Sequence, residues 1–75
     1  MYDYSKLNGR IVEIYGKGGQ KHFAQDMGWS SRTCSLKLNN HVFWNQREID
    51  RALELLHISR AEIDAYFFNL KVQSA

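Results

Sequence analysis

The sequence predicts an all-α domain, a compact bundle of about five short helices finished by a short extended C-terminal tail. Three observations carry that prediction. Apolar residues recur at three- and four-residue spacing through most of the chain; four of the five stretches so marked open on Ser, Asn or Asp, and the first three close on Gly or Asn. Strict apolar–polar alternation begins only at Phe68. The chain has 75 residues and no proline, which makes one domain, 1–75, with no Pro-rich linker inside it.

The first helix is expected after Asp3, whose carboxylate can accept from free backbone N–H groups, with Leu7, Ile11, Ile14 and Tyr15 as its apolar stripe. Gly9 inside it lowers helix propensity by ~1 kcal/mol relative to Ala. Gly16-Lys17-Gly18-Gly19 ends the helix. A second helix follows over Gln20 to Met27, with Phe23, Ala24 and Met27 inward, and Gly28 turns the chain so that Trp29 packs back. Ser30 caps a third helix running through Leu38, and Asn39-Asn40 ends it because asparagine tolerates left-handed geometry.

The fourth helix has the clearest start. Asn45 with Glu48 forms a capping box, Trp44 can staple onto Ile49, and Ile49, Ala52, Leu53 and Leu56 face inward. Ser59 with Glu62 opens a fifth helix carrying Ile63, Tyr66 and Phe67. Residues 68–72 alternate and are expected to be extended or docked.

Composition excludes several function classes. Cys34 is the single cysteine, so no internal disulfide and no cysteine-based zinc site can form. It sits on the inner face as an inert core thiol, in keeping with a reducing cytoplasm. His22, His41 and His57 lack metal-ligand spacing, Gly16-Lys-Gly-Gly lacks the strand and spacing of a phosphate loop, and no carboxylate pair or triad emerges. The chain is therefore expected to be no enzyme, with no metal and no cofactor. No apolar run approaches the ~20 residues of a membrane span, and Met-Tyr-Asp-Tyr-Ser lacks a secretory pattern, so the expected location is the cytoplasm.

Charge is uneven. Residues 1–44 carry Lys6, Arg10, Lys17, Lys21, Arg32 and Lys37 against Asp3, Glu13 and Asp26, net +3, while residues 45–75 carry four basic against five acidic groups, net −1. The basic half holds the segment with the strongest motif logic. Ala24 is small where two helices cross, Gly28 takes the turn, and Phe23, Met27, Trp29 and Cys34 lock the helices together. Residues 20–38 thus read as a helix-turn-helix unit that projects Ser31, Arg32, Ser35 and Leu36 outward.

Gln20-Lys-His-Phe-Ala-Gln-Asp-Met-Gly-Trp-Ser-Ser-Arg-Thr-Cys-Ser resembles the lambda-repressor and Cro helix-turn-helix family. With Met-Tyr-Asp-Tyr-Ser-Lys-Leu at the start, Ser-Leu-Lys-Leu-Asn-Asn in the middle and Tyr-Phe-Phe-Asn-Leu-Lys-Val near the end, almost the whole chain is similar to small phage proteins of Gram-positive hosts. That group contains Cro-like regulators and a modulator of repression, which acts by binding the phage repressor. Lys37 stands where many members have an apolar residue, which shifts the core contact to Leu38, and Asn39-Asn40 replaces the usual glycine.

The resemblance implies a part in a lysogeny switch and leaves two modes open. In the first, a DNA-binding transcription regulator, as a homodimer or paired copies, reads double-stranded operator DNA through its third helix. Arg32 would contact guanine, Ser31, Thr33 and Ser35 bases or phosphates, Leu36 a thymine methyl, and Gln20, Lys21 and Lys37 the backbone. In the second, an antirepressor uses the same face to dock on the phage repressor's DNA-binding domain. Arg32 argues for DNA and an exposed Leu36 for a protein partner, with the balance slightly toward DNA.

Overall fold

In a computed structural model, residues 2–70 are described. Asp3 prepares the first helix from one position further out than expected: its carboxylate accepts from the Ser5 N–H at 2.9 Å and the Ser5 hydroxyl at 2.6 Å. Helix α1 is Ser5–Tyr15, flanked by Tyr4. Leu7 and Ile11 are buried and Tyr15 is half-buried, whereas Ile14 lies at the surface, so the stripe is narrower than its spacing suggests.

Helix α2 is Gly19–Met27 and takes in Gly19, one residue before the expected start. Gly19 is buried where α2 meets α1: a Cβ there would stand 2.8 Å from Tyr15 Cβ and 3.1 Å from the Ile11 carbonyl. Of the glycines between α1 and Gln20, it is Gly19 that permits the close approach. Gly28, at φ +78°, ends α2 in left-handed geometry. Helix α3 is Ser31–Leu38, and the Ser30 hydroxyl accepts from the Thr33 N–H at 3.1 Å as its cap. Asn40 then takes φ +65°, the left-handed role expected of the asparagine pair.

Helix α4 is Gln46–Leu55, opened by the expected capping box: the Glu48 N–H donates to Asn45 Oδ1 at 2.8 Å and the Asn45 N–H to Glu48 Oε1 at 3.0 Å. Ile49, Ala52, Leu53 and Leu56 are all buried. The fifth helical segment is split into a 3₁₀ turn, Arg60–Glu62, and helix α5, Ile63–Phe67. The Ser59 hydroxyl accepts from the Ala61 N–H at 3.2 Å, and the Glu62 N–H donates to the Ser59 carbonyl at 2.9 Å, the i→i+3 bond that winds the first turn tighter than α.

The C-terminal segment docks on the N-terminal one. Tyr2 and Leu70 pair as an antiparallel bridge, and the Asp3 N–H donates to the Asn69 carbonyl at 2.6 Å. Lys71 and Val72, the rest of the expected extended tail, lie outside the described residues. Through the core runs a file of aromatic rings, Tyr15, Phe23, Trp29, Trp44 and Phe67, each edge-on to the next with centroids 5.1 to 6.2 Å apart. The file joins α1, α2, both turns flanking α3 and α5. Truncating a buried member such as Phe23 to alanine costs about 3–5 kcal/mol. Among the described residues no helix is long and apolar enough to cross a membrane.

Candidate functional site

α2, the connection through Gly28, Trp29 and Ser30, and α3 form one packed unit. Phe23, Ala24 and Cys34 are buried between the helices, and the Trp29 N–H donates to the Ala24 carbonyl at 2.8 Å, drawing the turn tight. Burial pushes the Cys34 thiol up, opposed by its contact with the Gln20 carbonyl at 3.9 Å, which leaves a core thiol and no nucleophile.

Where α2 and α3 diverge, an open notch of about 310 Å³ is lined by Gly18, Gln20, Lys21, Ser31 and Ser35. The fold therefore brings together four of the residues singled out in the sequence. Arg32 is exposed on the neighbouring surface of α3. Thr33 is half-buried and receives the Ser30 hydroxyl at 3.1 Å, so its hydroxyl belongs to the cap.

Two expected contact residues are placed otherwise. Leu36 is only half-exposed, because the chain folds back after α3 and the His41 and Val42 N–H groups donate to its carbonyl at 2.9 and 3.3 Å. Lys37 is buried, 7% exposed, and is withdrawn from any outer contact face. Its Nζ donates to Glu48 Oε1 at 2.8 Å and to the Phe43 carbonyl at 2.9 Å, and lies 5.2 Å from the centre of the Trp29 ring. The basic surface of α3 is thus reduced to Arg32. Burial alone would raise the Glu48 carboxyl, but hydrogen bonds from Lys37 and the Asn45 N–H outweigh it and hold the group below its ordinary range.

The loop pinned by Lys37 presents the most exposed of the large apolar side chains among the described residues. Phe43 is 88% exposed, beside Val42, and it lines an aromatic groove of about 260 Å³ with Tyr2, Trp44 and Phe68. The Tyr2 ring stands edge-on to Phe68 at 5.9 Å, and Leu70 is exposed opposite Tyr2. This second surface is made by the N-terminal segment, the loop after α3 and the segment after α5.

A family model described as "Protein of unknown function (DUF739)" matches residues 1–70. The chain belongs to the DUF739 family. Its fold is similar to the solution structure of the modulator of repression (MOR) of the temperate bacteriophage TP901-1 from Lactococcus lactis, with a TM-score of 0.78 and 49% sequence identity. That alignment covers 96% of this chain and 95% of the other. No curated protein matches the sequence.

For this DUF739 chain the sequence pointed to the notch and passed over the aromatic surface. In the sequence Trp44 reads as a staple onto Ile49, and Phe43 only as apolar area close to the third helix. Phe43-Trp44-Asn45 was nonetheless a usable signal: with Asn45 as the helix cap, two aromatics precede α4, and only one can serve as a staple.

Proposed function

We propose that this protein is a phage genetic-switch regulator that acts by binding the phage repressor and altering the repressor's hold on its operator. The single observation that carries this reading is the likeness, over nearly the full length of both chains, to a phage modulator of repression. The burial of Lys37 supports it, since α3 keeps one exposed cation where a helix entering the major groove gains from several. On this reading the protein works in the host cytoplasm and performs no catalysis.

Direct operator binding is the second reading, favoured by the α2–α3 notch. There the unit acts as a helix-turn-helix, with the hydrogen-bonding side chains Gln20, Lys21, Ser31 and Ser35 around the crevice and Arg32 beside it. A homodimer would then be needed to span two half-sites.

One experiment separates the two. The protein is mixed with the repressor of its phage and with operator DNA, followed by size-exclusion chromatography and a salt-titrated gel shift. A protein–repressor complex together with operator affinity no better than that for random DNA is the expected result. Repressor-independent operator binding, about a thousandfold or more above random DNA, overturns it in favour of the second reading.

A further inference from the structure

We propose that the Lys37–Glu48 pair is a register lock, the device by which the fold decides which of two consecutive aromatic rings, Phe43 or Trp44, enters the core. The lock belongs to the folded chain alone and holds whichever partner the protein binds.

The chain reaches α4 with two rings and one place for them. Phe43 and Trp44 are adjacent, both are large and apolar, and a single ring fills the place between Trp29 and Phe67. Either ring gains by burial, so hydrophobicity discriminates weakly between them. The outcome is nonetheless one-sided. The Trp44 ring centre lies 5.1 Å from those of both Trp29 and Phe67 and 6.3 Å from that of Tyr4, whereas Phe43 is 88% exposed.

The ion pair grips the backbone on both sides of Trp44. On the near side Lys37 Nζ donates to the Phe43 carbonyl at 2.9 Å, and on the far side the Asn45 N–H donates to Glu48 Oε1 at 3.0 Å. The two grips are one unit, because the same Oε1 accepts from Lys37 Nζ at 2.8 Å. Trp44 closes the ring of contacts from within. Its Nε1 donates to the Lys37 carbonyl at 3.3 Å, a bond that no phenyl ring can make. Exchanging the two rings means turning over the backbone that carries them, which takes the Phe43 carbonyl and the Asn45 N–H away from their partners.

Stability alone does not account for the pair. A buried ion pair is often matched or bettered by apolar side chains of similar volume, and the best-attested use of a buried polar group is to fix register at some cost in stability. Lys37 is 7% exposed and the Glu48 side chain 19%. The Asn45 side chain already fixes where α4 begins by accepting from the Glu48 N–H. What the pair adds is the orientation of the residues in front of that cap.

The test uses two variants of the full chain, read by thermal unfolding, by NMR relaxation dispersion on the tryptophan indoles and by acrylamide quenching. Lys37→Met with Glu48→Leu keeps the stems and leaves no lone buried charge. This chain is expected to fold cooperatively and to populate a second state, with Trp44 outward, about tenfold or more above the native level. Adding Phe43→Ser removes the competing ring and is expected to return Trp44 to one state. The other variant exchanges the rings, Phe43→Trp with Trp44→Phe, and leaves the ion pair in place. Its indole at position 43 is expected in water and open to the quencher, since the lock selects by position and not by ring. A single Trp44 state without the ion pair shows that the Asn45 cap suffices and overturns the lock. A second state that survives Phe43→Ser is general loosening and overturns it too, as does a buried indole at position 43. If the chain without the ion pair does not fold, the ring exchange decides alone, for the lock if that indole is in water and against it if buried.

Discussion

The Tyr15 hydroxyl donates to Asp26 Oδ2 at 2.7 Å, bracing the last turn of α1 against the C-terminal part of α2. Arg51 of α4 reaches the same residue from the other side, donating to the Asp26 carbonyl through Nε and Nη2 at 3.2 and 3.1 Å. Asp26 thereby joins three helices, at the end of α2 remote from the notch.

Tyr15 carries the measurable signature of that joint. Burial foremost, then the hydrogen bond and charge of Asp26, push its hydroxyl up to about 12 from an ordinary 10.0. Because the folded value is the higher one, the contribution to stability is complete below pH 10 and is lost as pH rises through the folded value. Absorbance titration of the phenolates should show one tyrosine ionising near 12, and Tyr15→Phe should remove that step. The same variant should lose about 0.5–1.5 kcal/mol in urea unfolding at neutral pH.

Glu48 predicts the opposite pH limb. Its folded carboxyl lies below the ordinary 4.5, so the stabilisation is complete above that value and is lost as pH falls through the lower folded value. Unfolding followed from pH 6 to pH 2 should show stability falling across the acid range, with a shallower fall when both Lys37 and Glu48 are made apolar. Glu48→Ala alone should be far worse than the double change. It removes the capping box and leaves Lys37 Nζ buried without its carboxylate, costing about 3 kcal/mol or more.

Lys37 also shows where reading the sequence stops working. Starts of helices were legible because their signals are local: Ser30 reaches Thr33 and Asn45 reaches Glu48, each three residues away. The buried stripe of α4 was legible because it follows one period. Lys37 pairs with Glu48 eleven positions further on, across a loop, and no period or spacing encodes that contact. Lysine's long stem lets Lys37 fill a buried place while its charge finds a partner. Leu36 is half-exposed rather than fully outward, and the His41 and Val42 N–H groups that return to its carbonyl form a contact across the loop that no period encodes. The notch residues were legible because α2 and α3 meet through a single glycine turn whose geometry leaves little freedom.

Cys34 gives a chemical probe of the same unit. The thiol is fully buried between α2 and α3, and burial pushes its ionisation up. A thiol reagent should therefore modify the native chain only at the rate at which this pair of helices opens, and at once in denaturant. Rapid stoichiometric labelling under native conditions would mean that the two helices part far more readily than their packing indicates.

Two glycines should respond oppositely to the same substitution. At Gly19 an added methyl would meet Tyr15 Cβ at 2.8 Å and the Ile11 carbonyl at 3.1 Å, atoms held by the backbone of α1. Neither is the free end of a flexible side chain, so Gly19→Ala must push α2 away from α1, at about 1–3 kcal/mol. At Gly9 the same methyl meets nothing within 4 Å, and the residue lies inside α1. Gly9→Ala should then stabilise the chain by up to about 1 kcal/mol through helix propensity and a less flexible unfolded state. Paired thermal unfolding of the two variants is the check. The α1–α2 crossing also sets the entrance to the notch through Gly18 and Gln20, so Gly19→Ala should additionally shift the amide resonances of Gln20, Lys21 and Ser31, and Gly9→Ala should leave them in place.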